Sequence, residues 1–382
     1  MGNHTQSLSD RVNLIANSDT WIEGKAIQQL NKTAELEGIV RAVGMPDLHP
    51  GRGYPIGAVF LSRAKIYPAL IGNDIGCGMS LLQTDISVRK VNLDKFEKRL
   101  SNIDAPLPGE WTEYLEKRFE EKNLAMTGFE HSLGTIGGGN HFAELQQICD
   151  VYRSDIIEEL GVNINNLQLL VNRGARGLGQ KILRNHVDEF GHQGLNTGTS
   201  SFDTYIKQHN EALCFAELNR EMIGLRITDK LNASCEKLLD INHNLVSPLV
   251  VDGHVHWIHR KGATPADRGL VMIPGSRGDY SYLVKPTPSI ESLFSLAHGA
   301  GRKWARSECK TRLSKRYRVD QLKRTEFGSR VICKNRSLLY EEAPEAYKSI
   351  DSVIDAMNSV GLITPVARFR PVLTYKTQGE CS

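Results

Sequence analysis

The segment "GNDIGCGMS" (residues 72–80) places one aspartate and one cysteine three positions apart between glycines, directly after the apolar residues Leu70 and Ile71. Glycine adopts backbone angles that other residues resist, so a turn of this composition can aim both side chains at one point. A metal ion is one such point. A strand-connecting turn with a buried cysteine is the alternative, and the rest of the sequence decides between the two.

The composition is that of an ordinary globular protein. The 382 residues are 40% hydrophobic and 24% charged, which is enough to bury a large core. The formal net charge of +3 is close to neutral for this size, so a polyanion must be bound by a local cluster of Lys and Arg. Segment 302–318 carries eight Lys and Arg against one Glu, although a solvated helix face is the simpler interpretation of that segment alone.

The cysteines and the apolar runs indicate the compartment. The seven cysteines include no Cys-x-x-Cys pair, which is typical of free thiols in a reducing environment rather than of a disulfide framework or a zinc finger. The N-terminus has no apolar segment of signal-peptide length, and nowhere do eighteen apolar residues run together. We therefore expect a cytoplasmic protein with no membrane association.

Short β-rich segments alternate with glycine-rich turns along the chain. Their apolar composition predicts strands at 57–62, 67–72, 167–172, 254–259 and 269–274. Helical periodicity predicts helices over about 201–240, 287–315 and 340–359. Because no repeat or low-complexity linker interrupts the chain, we expect one large α+β domain over residues 1–382.

Three further polar turns, two of them rich in glycine, carry residues that can do chemistry. They are "TIGGGNHFAEL" (135–145), "DINHNLV" (240–246) and "SLAHGAGRKWA" (295–305), each with one histidine. A single histidine of this kind is more often structural than a ligand, but four polar turns in one chain favour a shared site. A thiolate, an aspartate and imidazoles together suit Zn, Mn, Fe or Co rather than Ca or Mg. The spacing matches no local zinc motif, so the ligands must come from distant segments.

Two common nucleotide-binding motifs are absent from the sequence. The segment "RGARGLG" (173–179) has its glycines in the wrong order for G-x-G-x-x-G, and no G-x-x-x-x-G-K-[ST] loop occurs. An anion held by backbone N–H groups and Arg176 remains compatible with that segment. A nucleotide therefore needs a different cradle.

Seven motifs occur in the order seen in the RtcB family of RNA-splicing ligases, and the chain resembles that family from about residue 24 to 377. These motifs are "MPDLHPGRGYPIG" (45–57), "DIGCG" (74–78), "GGGNHFAE" (137–144), "HRKGATPA" (259–266), "IPGSRGDYSY" (273–282), "AHGAGR" (297–302) and "VARFRPVLTYK" (366–376). The resemblance implies a single RtcB-like α+β domain with mixed β-sheets around a central metal and nucleotide cleft and with flanking helices.

The resemblance also implies an activity. The family uses GTP and Mn²⁺ to join a 2′,3′-cyclic-phosphate or 3′-phosphate RNA end to a 5′-hydroxyl end through a histidine-GMP intermediate. His298 matches the guanylylated histidine, and the chain lacks the Lys-x-Asp-Gly motif of ligases that use a lysine. The implied role is repair of RNA such as tRNA or ribosomal RNA, and an activating or repair partner protein is compatible with it.

Ligand residues follow from the same match. Asp74, Cys77, His141 and His243 stand where the family binds two Mn²⁺ ions, with the thiolate bridging them. Nucleotide contacts are implied for Asn140, His141, Phe142, Ala143, Glu144, His243, Asn244, Pro274, Gly275, Ser276, Arg277, Ser281, His298, Gly299, Ala300, Gly301 and Lys376. A carboxylate such as Glu144 can accept hydrogen bonds from the N1–H and N2–H groups of guanine, which adenine does not offer in that pattern.

The chain departs from the family pattern at two turns. Where the family has "HSGSRGLG", this chain reads "NRGARGLG" (172–179), so Asn172 replaces a histidine that binds metal and Arg173 adds a positive charge. An amide oxygen is a weaker donor to Mn²⁺ than imidazole, so the second ion is expected to bind loosely, to use another donor or to be lost. In the family's "PGSMG", the methionine is here Arg277.

Two other functions compete with an active ligase. One is a non-catalytic protein that binds RNA ends or nucleotides, and the other is a cyclic-phosphate phosphohydrolase that has lost ligation. The retained residues His298, Cys77, Asp74 and Lys376 favour the ligase, since binding alone does not need the nucleophile.

Overall fold

The computed structural model of the protein describes residues 5–100 and 103–377. The strands within these residues are β1 (Thr5–Ser9), β2 (Val12–Ile15), β3 (Ile39–His49), β4 (Ile56–Arg63), β5 (Lys65–Ile66), β6 (Gly78–Ser87), β7 (Phe142–Val151), β8 (Asn166–Arg173), β9 (Leu195–Asn196), β10 (Cys235–Asn242), β11 (Asn244–Val251), β12 (His254–Lys261), β13 (Ala263–Pro265), β14 (Val271–Pro274), β15 (Ser281–Pro286), β16 (Ser295–Ala297), β17 (Arg330–Cys333) and β18 (Ile363–Thr377). The helices are α1 (Gly24–Ala34), α2 (Pro68–Ile71), α3 (Leu93–Arg99), α4 (Thr112–Glu121), α5 (Ser154–Glu159), α6 (Gly177–Phe190), α7 (Ser200–Leu231), α8 (Arg306–Leu313), α9 (Arg336–Glu341) and α10 (Ile350–Ser359). The mixture of sheets and helices confirms the predicted α+β class.

Two large sheets organise these elements. One has six strands in the order β1-β2-β3-β4-β12-β11, and the other has eight, in the order β10-β6-β8-β7-β18-β15-β14 with β17 beside β18. Two short pairs, β13 with β16 and β5 with β9, complete the pairing. Most neighbours are antiparallel, so strand connections and strand ends alternate along each edge of a sheet.

The register of the eight-stranded sheet brings four polar turns to one edge. Gly78, the first residue of β6, pairs with Arg173 at the end of β8 and with Asn242 at the end of β10. Phe142, the first residue of β7, pairs with Asn172. The residues that immediately precede or follow these strand ends therefore lie side by side, although they are far apart in the sequence.

Helix α7 covers the part of this sheet that carries those turns. It packs against β6, β8 and β10, and its Ile223 joins Leu82, Leu145 and Leu169 in one apolar cluster. The approach is close at Gly224, where a Cβ would lie 2.8 Å from a methyl of Leu82. Burial of this apolar interface fixes α7, and with it the turns that rest on its side chains.

The strand predictions were correct in four cases and wrong in one. Segments 57–62 and 167–172 lie within β4 and β8, 254–259 lies within β12, and 269–274 ends with β14. Segment 67–72 is instead the short helix α2. Pro68 begins that helix and Gly72, with a φ of 81°, ends it. Composition alone does not distinguish a buried one-turn helix from a buried strand.

The helix predictions were too long. Segment 201–240 is α7 only as far as Leu231, because Asn232 takes a left-handed conformation before β10 begins. Segment 287–315 is helical only in a short turn at 290–292 and in α8, with β16 between them, because Leu293 and Phe294 also adopt positive φ angles. Segment 340–359 divides into the end of α9, a turn that begins at Pro344, and α10. No helix among the described residues is long and apolar enough to cross a bilayer.

Candidate active site

The turn that carries Asp74 and Cys77 fits its place only because two of its residues are glycines. Gly76 has a φ of 72°, and a Cβ there would lie 2.7 Å from the Cβ of Ala216 on α7. A Cβ at Gly78 would lie 2.3 Å from the carbonyl oxygen of Ile241 on β10. The turn closes through a hydrogen bond from the amide of Cys77 to the carbonyl of Asp74 at 3.1 Å. Both side chains therefore project from one tight, fixed turn.

Three predicted metal ligands form a compact cluster. A carboxylate oxygen of Asp74, the sulfur of Cys77 and Nε2 of His141 all lie within 4.8 Å of one another. His141 Nε2 is 2.7 Å from Asp74 Oδ2 and 3.6 Å from Cys77 Sγ. One carboxylate, one thiol and one imidazole at this separation can close around a single transition-metal ion, so the residues fit the metal that the sequence predicts.

Asn172 lies against this cluster. Its side-chain oxygen accepts a hydrogen bond from the Cys77 thiol at 3.3 Å. Burial raises the pKa of that thiol well above its usual value, and the negative charge of Asp74 adds to the effect. Asn172, which stands where the family has a metal-binding histidine, therefore lies beside Cys77, where the second ion is expected.

The fourth predicted ligand, His243, lies next to the cluster but outside it. Its backbone amide donates to the carbonyl of Cys77 at 2.7 Å, and its ring centroid is 4.9 Å from that of His298. Its Nδ1 is buried and finds no hydrogen-bond partner among residues 5–100 and 103–377. Burial, together with the charge of His298, lowers the pKa of His243, which keeps the ring neutral and able to bind a metal.

Arg173 contacts His141 from the side opposite the cluster. Its Nη1 donates to Nδ1 of His141 at 3.1 Å, and its Nε donates to the carbonyl of Thr135 at 3.0 Å. Because a guanidinium has no acceptor, Nδ1 accepts this bond and Nε2 carries the proton that faces Asp74, which a metal ion bound at Nε2 would displace. Burial opposes ionisation of Asp74, but His141 and Arg173 outweigh it and lower the pKa of this carboxyl.

His298 follows β16 and is held by a carboxylate from β3. Oδ2 of Asp47 lies 3.1 Å from the backbone nitrogen of His298 and 2.5 Å from its Nδ1. Asp47 is fully buried, whereas the side chain of His298 is 14% exposed. The acceptor at Nδ1 places the ring proton there, so the Nε2 lone pair is free for a reaction.

Arg220 of α7 connects the segments that carry the metal-ligand candidates. It is fully buried, and its Nη1 donates to the carbonyls of Gly76 and Arg173, each at 2.7 Å. Its other nitrogens bond Asn242 at 2.7 Å and form an ion pair with Asp240. One guanidinium thus joins the turn of Cys77, the end of β8 and the end of β10.

The residues predicted to bind the nucleotide lie beside the cluster of Asp74, Cys77 and His141, and we call them the wall of the site. Glu144 is buried and accepts hydrogen bonds from Gln146 at 2.7 Å and from Thr374; its burial raises its pKa to about 6. Gln146 also donates to Ser281 at 2.8 Å. Asn244 accepts from the amide of Gly262 and donates to the carbonyl of Asp74, which places it between the cluster and His298.

The remaining nucleotide candidates occupy four positions around this wall. Asn140 is exposed, while Phe142 and Ala143 begin β7. Pro274 ends β14, and Gly275 and Ser276 continue into the turn towards β15. The carbonyl of Pro274 accepts from the amide of Ala300 at 3.1 Å, so this turn touches the Gly299–Gly301 turn that follows His298. The structure therefore brings the predicted residues to one region.

Lys376 is held by a buried carboxylate that the sequence did not reveal. Glu342 bonds Lys376 Nζ at 3.1 Å, and it also contacts Arg302 and Arg306 at 3.2 and 3.3 Å. Although burial opposes its ionisation, Lys376 and the two arginines lower the pKa of Glu342 to about 2. Arg302 and Arg306 thus belong to the inner wall, whereas Lys310 and Lys315 of the basic segment are exposed.

Sequence reasoning missed Asp47, Arg220, Lys261 and Glu342. Asp47 and Lys261 lie inside the motifs "MPDLHPGRGYPIG" and "HRKGATPA", so their position there was an available signal. Burial lowers the pKa of Lys261 to about 8, and Asp74 is the charge that opposes this shift. The residue Gly262 that follows contacts the ring of His298, since a Cβ there would lie 2.9 Å from its Cε1. Arg220 and Glu342 had no local signal.

Comparisons with known proteins agree with this arrangement. The family profile described as "tRNA-splicing ligase RtcB" matches residues 29–127 and 108–377. The chain is 54% identical to RNA-splicing ligase RtcB2 of Escherichia coli strain ATCC 25922 over 99% of both chains. It is 29% identical to RNA-splicing ligase RtcB of Escherichia coli strain K12, over 93% of this chain and 95% of the relative.

An archaeal relative has the same level of similarity. The tRNA-splicing ligase RtcB of Nanoarchaeum equitans is 29% identical over 93% of this chain and 92% of its own length. The match therefore extends over whole chains and is not confined to the motifs of the active site. The profile and the relatives together confirm the resemblance stated from the motifs, and the chain belongs to the RtcB family of RNA-splicing ligases.

Proposed function

We propose that this RtcB-family enzyme joins RNA ends with GTP and Mn²⁺, with His298 as the residue that carries GMP. The ends are a 2′,3′-cyclic phosphate or 3′-phosphate and a 5′-hydroxyl, and the role is repair of RNA such as tRNA or ribosomal RNA. The proposal takes residues 1–382 as one catalytic domain.

The observation that carries the proposal is the position of a nucleophile beside the metal-ligand candidates. His298 is positioned by Asp47, its ring touches His243, and the backbone amide of His243 bonds the carbonyl of Cys77. An imidazole fixed in one tautomer beside a transition-metal site is suited to attack phosphorus. A protein that only binds RNA ends has no need of this arrangement.

The covalent step follows from the tautomer of His298. Nε2 attacks the α-phosphorus of GTP, a nitrogen–phosphorus bond forms, and the bond from phosphorus to the leaving pyrophosphate oxygen breaks. Asp47 accepts a hydrogen bond from the Nδ1–H group throughout and stabilises the positive charge that develops on the ring. Bound Mn²⁺ at Asp74, Cys77 and His141 would supply neutralisation of charge on the phosphoryl oxygens.

Later steps use the same site. Water opens the cyclic phosphate to a 3′-phosphate, this phosphate takes GMP from His298, and the 5′-hydroxyl then displaces GMP to form the phosphodiester. The RNA must approach with its phosphates near the cluster. Arg176, whose backbone amide bonds Asp74 at 3.1 Å, and the exposed lysines of α8 and the turn after it are the basic groups in a position to hold it.

Incubation with α-labelled GTP and Mn²⁺, followed by a denaturing gel, tests the proposal. We expect a covalent label that is acid-labile and base-stable, as a phosphoramidate is, and RNA joining under the same conditions. His298→Ala should bind GTP but form neither label nor joined RNA. GTP binding without any label in the wild-type protein would support the non-catalytic alternative, and opening of the cyclic phosphate without joining would support the phosphohydrolase.

A further inference from the structure

Arg277 is a buried cation whose donors are mostly unused. It lies in the turn between β14 and β15 and is 6% exposed. Its Nη2 donates to the carbonyl of Leu339 at 2.9 Å. Neither Nε nor Nη1 finds an acceptor within the part of the chain that the structure describes. Three N–H groups of one guanidinium are therefore left without a protein partner.

Such an arrangement is costly for the fold. Glu342 and Glu345 partly offset the buried charge of Arg277, but burial of donors without acceptors is unfavourable, and an apolar side chain of similar length would avoid that cost. Methionine, which the family pattern has at this position, is such a side chain. The most direct physical account of Arg277 is a ligand whose acceptors complete its hydrogen bonds.

The surroundings of Arg277 locate that ligand. Ser281, which pairs with Pro274 across the hairpin of this turn, is joined to Glu144 through Gln146. The positive charge of Arg277 is one of those that favour ionisation of Glu144. Arg277 therefore lies on the wall of the pocket that carries the proposed guanine contact.

The other cations near this wall are already engaged, because Lys376, Arg302 and Arg306 all contact Glu342. Lys376 donates to Glu342 at 3.1 Å and to the carbonyl of Asn140 at 3.2 Å. The donors of Arg277 that have no protein partner are therefore available to a ligand atom that accepts hydrogen bonds near Glu144. In the proposed function His298 bonds the α-phosphorus, so the phosphates lie towards His298 and the metal-ligand candidates, and the base is the part of the nucleotide that is left for Glu144.

We infer that Arg277 binds the O6 and N7 acceptors of the guanine base, an inference that rests on the proposed function. Guanine presents donors at N1 and N2 and, on the adjoining edge, acceptors at O6 and N7. The Glu144 carboxylate can accept from N1–H and N2–H while the Arg277 guanidinium donates to O6 and N7, so the two side chains together recognise both edges of guanine. Arginine contacts to O6 and N7 of guanine are the commonest specific contact of this kind, and adenine replaces O6 by an amino donor.

Binding of GMP and 7-deaza-GMP, measured by calorimetry with Mn²⁺ present, tests the inference. GMP has no pyrophosphate to lose, and 7-deaza-GMP lacks only the N7 acceptor. We expect Arg277→Met to weaken GMP binding by roughly 5- to 150-fold, the range of one good bidentate pair, and to lose the preference for GMP over 7-deaza-GMP. We also expect it to raise the melting temperature of the nucleotide-free protein, because an unsatisfied buried charge is removed.

Two variants complete the design. Arg277→Lys keeps the charge but not the fork, so it should also lose the preference for GMP even if the methionine variant does not fold. Arg268→Met, at an exposed position before β14, should leave both affinities unchanged. Equal weakening of GMP and 7-deaza-GMP would assign Arg277 to the phosphate and overturn the inference, as would unchanged affinities. Failure of the wild-type protein to bind GTP or GMP would overturn the proposed function as well.

Discussion

Asp47 and His298 are 251 positions apart in the chain, yet one carboxylate oxygen of Asp47 bonds both the backbone nitrogen and Nδ1 of His298. The packing of β16 against β3 makes this possible, because it brings the turn after β16 against the end of β3. A residue on the wall of the site thus sets both the position and the tautomer of the proposed nucleophile.

Asp47→Asn is expected to slow guanylylation of His298. The amide still accepts from the backbone nitrogen but cannot stabilise a positive imidazole, so the rate of label formation should fall by roughly 10²- to 10⁴-fold. GTP affinity should stay within about twofold. Calorimetry can measure it without turnover in the His298→Ala protein and in the double variant that carries both Asp47→Asn and His298→Ala. An unchanged single-turnover rate would remove Asp47 from the mechanism.

The contrast between the site and its supports shows what the sequence could reveal. Cys77, His141 and His298 lie in glycine-flanked turns whose composition is unusual enough to be recognised locally. Arg220 lies within α7 and Glu342 directly follows α9, and their importance depends on partners that the fold brings to them. Pairings of this kind are set by tertiary packing, which residue composition does not encode locally.

The same reasoning explains the errors in the fold. The apolar segment 67–72 has the composition of a strand, and only the positions of Pro68 and Gly72 indicate that a single helical turn lies there. In segment 287–315 the helical spacing of apolar residues arises by chance from buried loop residues such as Leu293. Strands β4, β8 and β12 were predicted because each contains a short segment rich in apolar and β-branched residues.

Asn172→His should strengthen Mn²⁺ binding. The imidazole would stand beside Cys77, where Asn172 Oδ1 now accepts at 3.3 Å, and would add a stronger donor near His243. We expect at least about a tenfold gain in affinity for the weaker ion and a lower Mn²⁺ requirement for ligation, with the label still on His298. Calorimetric titration and ligation rates measure both effects.

Two cysteine variants control this titration. Cys77→Ala removes the shared thiolate and should abolish tight binding, whereas Cys149→Ser, at an exposed position on β7, should change nothing. Identical metal stoichiometry, affinity and activity in the wild-type and Asn172→His proteins would show that residue 172 does not face a metal.

Guanine nucleotide binding should weaken in mild acid through Glu144. Burial raises the pKa of this carboxyl to about 6, so the ionised form that accepts from N1–H and N2–H is lost as the pH falls through that value. Between pH 7.5 and pH 5 we expect GMP affinity to fall by about tenfold. Glu144→Gln should bind weakly at every pH. Dividing the GMP affinity of the wild-type protein by that of Glu144→Gln at each pH cancels the effect of the nucleotide's own phosphate titration. A ratio that does not change with pH would contradict the assignment of Glu144 to the base.

The exposed lysines of the basic segment are expected to contact RNA. Helix α8 begins at Arg306, beside Glu342, and continues towards Lys310 and Lys315 at the surface. Charge reversal at both lysines should weaken RNA binding and reduce the slope of affinity against salt concentration by about one to two. Reversal of Lys207, an exposed lysine on α7, serves as the control. Equal loss in both proteins would indicate a general charge effect and not a contact surface.

Arg220→Met should destabilise the protein and loosen the metal site together. The substitution leaves the carboxylate of Asp240 and the carbonyls of Gly76 and Arg173 buried without a donor. Breaking a buried ion pair on one side costs about 3–5 kcal/mol, so the urea midpoint should fall clearly. Because the same guanidinium joins the turn of Cys77 to the end of β8, Mn²⁺ affinity should fall as well. Arg226→Met is the matched control on α7, since among residues 5–100 and 103–377 Arg226 donates only to the carbonyl of Gly134, and it should cost about 1 kcal/mol with no change in metal affinity. A loss of stability without any loss of Mn²⁺ affinity would show that Arg220 supports the fold alone and that the ligand turns hold their geometry without it.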